Sequence, residues 1–278
     1  MRTMALTALA MLAFAGNSLL CRMALKTTAI DPATFTTLRL ASGALVLWLL
    51  VRMRRGTDTA GGNWPSALAL FAYAAGFSFA YASLSAATGA LLLFGAVQAT
   101  MIGHGLWAGE RFQRLQWVGL VLALAGLLGL LLPGLSAPPL AGALLMLGAG
   151  VAWAIYSLRG KGAGDATRVT AGNFLRAVTL AGVLSVVMLG SASVDSAGAW
   201  FALASGAFAS GIGYALWYTA LPAVKATQAA TVQLSVPVIA AAGGVLLLAE
   251  PLSLRLLLAS VVILGGIALV ILEKPAVR

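Results

Sequence analysis

Charge is what this sequence has least of. Asp, Glu, Lys and Arg make up 9% of its 278 residues, against roughly 25% in a soluble domain. With 61% of residues apolar, the chain cannot cover a folded surface of its own with polar groups, and a soluble fold is excluded. Acids are scarcer still. There are seven Asp and Glu in all, each in a loop or at the edge of an apolar run. That argues against an intramembrane hydrolase, which needs a catalytic acid, a nucleophile–base pair or a metal cluster. A single cysteine, Cys21, excludes a disulfide framework and a cysteine metal site. The one histidine, His104, reads as an interface residue near the end of its helix. The sequence therefore points to no enzyme, no cofactor and no metal.

Long apolar runs fill the chain instead. Ten are bounded by turn or charge signals, at 5–20, 33–51, 64–84, 89–108, 115–132, 139–158, 170–189, 197–221, 226–248 and 253–272. A bilayer crossing takes about 20 residues as a helix, whereas barrel strands would be about ten residues of alternating polarity. The fold class expected is all-α integral membrane, with no room for a soluble domain. Eight of the nine prolines lie at or near run ends, and Asp31-Pro32 reads as a cap followed by the first helical residue. Only Pro237 falls in mid-span, where it cannot donate to the carbonyl of Gln233 and should bend the helix. Residues 1–21 share an N-terminal Arg2, an apolar run and an Ala13-Phe14-Ala15 site with secretory signals. They are expected to remain as the first crossing, because the repeat described next gives that helix a counterpart.

The chain resembles itself. Gly76-Phe77 with Tyr81 and Leu84 in span 3 matches Gly213-Tyr214 with Tyr218 and Leu221 in span 8. Leu38-Arg39 in span 2 matches Leu175-Arg176 in span 7 at the same offset of 137 residues. Phe14 to Ser18 in span 1 faces Trp153 to Ser157 in span 6, and Glu110-Arg111 faces Glu250-Pro251. Four matches in one order divide the chain into repeats at 1–136 and 137–278. Five crossings per repeat is an odd number, so the halves are expected to be inverted, as in many secondary transporters.

Ten spans, the five-plus-five repeat, the Leu-Arg pairs and the Glu110-Arg111 and Glu250-Pro251 links resemble the EamA-type drug/metabolite transporter superfamily. Within it the chain is most similar to YddG-type bacterial amino-acid exporters. The resemblance implies a central substrate cavity lined by spans 1, 3, 4, 6, 8 and 9, in a bacterial inner-membrane protein. One departure is Val97, where the family often has proline in span 4. The lack of a membrane-embedded acid argues against the small multidrug transporters among its relatives.

Candidate binding residues follow from the spans. Tyr73, Phe77 and Tyr81 are four apart and form one stripe, and Tyr214 and Tyr218 repeat it with Trp217 alongside. Such stripes pack or face lipid, or they line a cavity, where hydroxyls suit a carboxylate and ring faces an ammonium group. Asn17, Gln98, Trp153, Tyr156 and Gln233, with Gln228 and Thr231 nearby, complete the candidates, their other role being helix–helix hydrogen bonding. Arg39 and Arg176 are the two charges within spans. Either binds a substrate carboxylate, or both snorkel to the headgroups and recur because the fold recurs; snorkelling is the favoured expectation. The function expected is export of amino acids or related small metabolites by alternating access. Export of apolar drugs or organic cations, and a non-transporting membrane scaffold or sensor, are the alternatives. The partners expected are a small-molecule substrate and the lipid bilayer.

Net charge +10 does not signal nucleic acid, since the basic residues sit in short connections. Twelve of the seventeen Lys and Arg lie on the side of the N-terminus, and only Arg22, Lys26 and Arg255 on the other. That bias places both termini in the cytoplasm, with Trp48, Trp64, Trp107 and Trp117 near the same interface. Reporter fusions at both termini and between Arg159 and Arg168 are expected to report cytoplasm, and one at Asp195 the outside. A C-terminal fusion reporting the outside would mean a miscounted span.

Overall fold

A computed structural model describes residues 2–53, 61–109, 111–134, 137–160, 164–220, 223 and 232–272. They form α1 (Arg2–Thr27), α2 (Pro32–Met53), α3 (Trp64–Tyr81), α4 (Ala86–Trp107) and α5 (Arg114–Leu131). The second set is α6 (Leu140–Gly160), α7 (Ala166–Val187), α8 (Ser196–Ala220), α9 (Ser235–Leu248) and α10 (Leu254–Leu272). Among the described residues there is no strand, and eight helices are long and apolar enough to cross a membrane. Of the others, α9 is a shorter apolar helix and α3 has 18 residues. The described helices follow the apolar runs to within a few residues, with one larger difference: the first helix continues to Thr27. Helix α9 is described from Ser235, and residues 226–231 of the expected ninth run lie outside the described residues. Glu110, Gln228 and Thr231 lie outside the described residues.

The four described acids sit at helix N-termini, where the first backbone N–H groups have no partner within the helix. Asp31 accepts from Ala33 and Thr34 at the start of α2, Asp165 from Thr167 and Arg168 at α7, and Asp195 from Gly198 at α8. Glu250 does the same between helices: its Oε2 accepts from Ala86 N at 2.7 Å, at the start of α4. Asn63 and Ser85 cap α3 and α4 without charge.

Hydrogen bonds at the helix ends fix their directions. Arg22, near the end of α1, donates to the carbonyls of Tyr81 and Ala82 at the end of α3, so both finish at one face. Arg159, near the end of α6, donates to Ser66 and Asn63 at the start of α3, so α6 runs the opposite way. Packing obeys the same exchange of helices five apart. The contact of α3 with α6 pairs with that of α1 with α8, α4–α6 with α1–α9, and α3–α7 with α2–α8. The α5–α10 contact maps onto itself and is among the most extensive. There a Cβ on Gly119 would meet the Gly266 carbonyl at 2.5 Å, and one on Gly266 would meet the Gly119 carbonyl at 2.5 Å. Only glycine permits backbones that close.

Asp31 also ties the α1–α2 connection to the α7–α8 connection, since its Oδ2 accepts from Ser193 N and its own N donates to Ser193 O. Burial pushes its carboxyl up, but hydrogen bonds from Thr34, Ser193 and Ala33 outweigh burial and hold it below the ordinary 3.8. A lowered native pKa contributes stability in full above the unfolded value, and that contribution is lost as pH falls through the native value. Asp31→Ala is expected to cost about 1 kcal/mol at neutral pH, the usual effect of removing an N-cap. In thermal melts the difference from wild type should shrink below pH 3.8. A difference that grows on acidification would contradict this account.

Candidate functional site

Arg39 lies on α2 about 10 Å from the start of the helix, at 1.5 Å per residue. Its side chain turns inward and is 1% exposed. Nη2 donates to the Tyr73 hydroxyl at 3.0 Å, and Nε reaches Ser210 Oγ at 3.4 Å. The guanidinium carbon stands 4.8 Å from the Phe77 ring centroid and 5.2 Å from that of Tyr73, as cation–π contacts. Nη1 has no hydrogen-bond partner among the described residues. Snorkelling is therefore wrong for Arg39. Helix α8 blocks the route, because Gly206 lies so close that a Cβ there would strike the Arg39 carbonyl and Ser42 Oγ.

That stretch of α8 is itself irregular. Ser205–Ile212 is a π-helical segment inside the longer helix, a form that recurs at functional sites. It presents two hydroxyls to the cluster, since Ser205 Oγ donates to Asn17 Oδ1 at 2.6 Å and Ser210 meets Arg39. Asn17 Nδ2 in turn donates to the Tyr73 hydroxyl at 3.3 Å. One network thus joins α1, α2, α3 and α8.

Beside it lies a cavity of about 20 Å³, room for roughly one water. Phe14, Asn17, Ser18, Tyr73, Phe77, Leu93, Phe94, Trp153, Tyr214 and Gln233 line it. The aromatic wall is continuous. Trp153 packs 4.8 Å from Tyr73 and 5.1 Å from Tyr214, and Phe14 lies 5.8 Å from Tyr214. Phe77 and Tyr214 are counterparts in the repeat, and so are Phe14 and Trp153. At the face where α1 ends, Arg22 and Glu250 pair at 2.8 Å, and Lys26 Nζ donates to Leu248 O.

The family model of the EamA-like transporter family matches residues 1–132 and again 140–272. The chain belongs to the EamA-like transporter family. It is a multi-pass membrane protein of a family of small-molecule transporters. An uncharacterized protein of Pseudomonas aeruginosa is 60% identical over 274 residues, covering 98% of this chain and 96% of that one. A solved crystal structure, 20% identical with a TM-score of 0.68, covers 96% of both chains and shares the fold.

Within this family fold, the structure brings Asn17, Tyr73, Phe77, Trp153, Tyr214 and Gln233 onto one wall and leaves other candidates off it. Tyr81 is fully buried toward the Arg22–Glu250 end, its hydroxyl donating to Ala86 O. Trp217 stacks edge-on with Phe14, and Tyr156 backs Trp153 at 5.6 Å. Gln98 is buried and Tyr218 half-buried, both away from the cavity wall. Pro237 lies in the first turn of α9, just after an interruption at Leu234, and lines an apolar crevice against α4 and α10. Arg176, the counterpart of Arg39, donates instead to the carbonyls of Gly61 and Gly172 near its own end of α7. Composition did not single out Ser205 and Ser210. The signal was present only as a small-residue run, Ser205-Gly206-Ala207, ahead of the aromatic stripe.

The cavity assignment makes a contrast testable. In a Cys21→Ala background, cysteines at Phe77 and Tyr214 should react with a water-soluble thiol reagent faster than cysteines at Tyr81 and Trp217. Equal inertness at all four positions would remove the cavity from the solvent path.

Proposed function

We propose that this protein is a secondary transporter that exports amino acids or related small metabolites across the bacterial inner membrane by alternating access. In this reading the chain crosses the membrane ten times as two inverted five-helix repeats, 1–136 and 137–278, with both termini in the cytoplasm. One observation carries the reading. The cavity draws its wall from α1, α3, α4, α6, α8 and the segment just before α9, so both halves contribute to it. A site at the junction of two repeats changes its access when one half rocks against the other.

The wall combines an apolar aromatic surface with a few polar groups, Asn17, Ser18, Tyr73 and Gln233, the usual make-up of a small-molecule site. At about 20 Å³ the space is closed down, and an amino acid enters only when the helices part. The Arg22–Glu250 pair shuts the outer face in this arrangement, and outward release requires it to break. The buried positive charge of Arg39 beside the wall disfavours organic cations, which weighs against the drug-export alternative.

The test is efflux from proteoliposomes loaded with labelled amino acids, one at a time. Efflux of at least one of them above protein-free vesicles is expected, with a marked fall in an Asn17→Leu variant that still reconstitutes to the same level. No efflux of any amino acid would overturn the substrate reading.

A further inference from the structure

Arg39 is a permanent cation buried in a membrane protein, with no acid beside it among the described residues. The described acids Asp31, Asp165, Asp195 and Glu250 are all engaged at helix N-termini. The partners of the guanidinium are neutral: one phenol, one serine hydroxyl and two ring faces. A charge in such a place is costly unless its remaining donors find acceptors, and Nη1 finds none among the described residues.

The Tyr73 hydroxyl carries the same signature. A phenol oxygen accepts two hydrogen bonds and donates one. Both accepting positions are filled, by Arg39 Nη2 at 3.0 Å and Asn17 Nδ2 at 3.3 Å. Asn17 is itself fixed in that orientation, because its Oδ1 accepts from Ser205. The hydroxyl proton of Tyr73 then has no acceptor among the described residues, and Tyr73 lines the cavity. Two donors are thus left over in one place, one charged and one polarised by that charge. No acceptor among the described residues answers them.

We propose that the central cavity is a carboxylate site, in which the Tyr73 hydroxyl donates to the substrate carboxylate and Arg39 behind it supplies the counter-charge. This rests on the transport reading and narrows it: the acid end of the substrate is the group recognised, and the ammonium end is dispensable. A carboxylate has two oxygens and several acceptor positions, so Nη1 takes a second bond once the helices part. The ammonium end meets ring faces and neutral side chains, since no acid lines the wall among the described residues. The counter-charge comes from one half alone. Arg176 is committed to backbone carbonyls at the end of its helix, so the cavity binds a single carboxylate and has one polarity.

The probes are matched triplets: phenylalanine, phenylalaninamide and N-acetylphenylalanine, with the leucine and tryptophan series beside them. The thermal unfolding midpoint of the purified protein is measured with each, and efflux is measured in proteoliposomes. At least one amino acid and its N-acetyl derivative are expected to raise the midpoint, and the amide at equal concentration is not. The rise should vanish in Arg39→Gln and in Tyr73→Phe, and survive in part in Arg39→Lys. Tyr73→Phe keeps the ring and its packing, so it decides the matter if Arg39→Gln fails to fold. An amide that raises the midpoint as much as its acid, a rise that persists in Tyr73→Phe, or no rise with any carboxylate overturns the site. Amides leaving the vesicles as fast as acids overturn the carboxylate assignment and leave transport standing. A carboxylate-dependent rise without efflux of any probe does the reverse.

Discussion

Arg39 carries a charge that no accessible pH removes, and the surrounding helices are arranged around it. A guanidinium at this depth has to be hydrogen-bonded or it would drag water in after it. Tyr73 and Ser210 supply two contacts and the rings of Tyr73 and Phe77 two more. Each of these depends on another local choice. Ser210 reaches Arg39 from the π-helical stretch of α8, and that stretch approaches α2 because Gly206 has no side chain. Tyr73 is held by Asn17, and Asn17 by Ser205. The cost of one buried charge thus explains an irregular helix, a glycine and a polar chain across four helices.

The repeat is symmetric where it packs and asymmetric at its two arginines. Phe77 and Tyr214, and Phe14 and Trp153, are related pairs that face one cavity. The two arginines occupy equivalent places in sequence but not in environment. Arg176 is part-buried near the start of α7 and bonds the carbonyls of Gly61 and Gly172. Matched packing surfaces suit the rocking of two halves proposed above, and the proposed carboxylate site needs the opposite, a difference between them.

Much of this was legible in the residues. Apolar runs located the helices because hydropathy and length are the same signal in a membrane protein. The aromatic stripes were legible because residues four apart share a helix face, and Phe77 and Tyr214 do meet the cavity. The rest of each stripe was not, since a helix face about 20 Å long passes through several environments. Tyr81 reaches the Arg22–Glu250 end of the bundle, and Tyr218, half-buried, lies off the cavity wall. The inward turn of Arg39 was not legible either. Hydropathy does not encode which neighbour a helix face meets, and an arginine two turns from a helix end can go either way until the adjoining helix is in place. The π-helical stretch left only small residues as its trace, which also suit ordinary helix packing.

The glycine contact between α5 and α10 has a mechanical consequence. Gly119 and Gly266 bring the two backbones together at their crossing, Gln116 Nε2 donates to Val270 O toward one end, and Arg255 donates to Gly129 O toward the other. Neither helix contributes to the cavity wall. The pair forms a keel that lies apart from the cavity. In the alternating-access reading proposed above, the bending of the remaining helices is measured against it, and the two halves stay in register without any loop having to hold them.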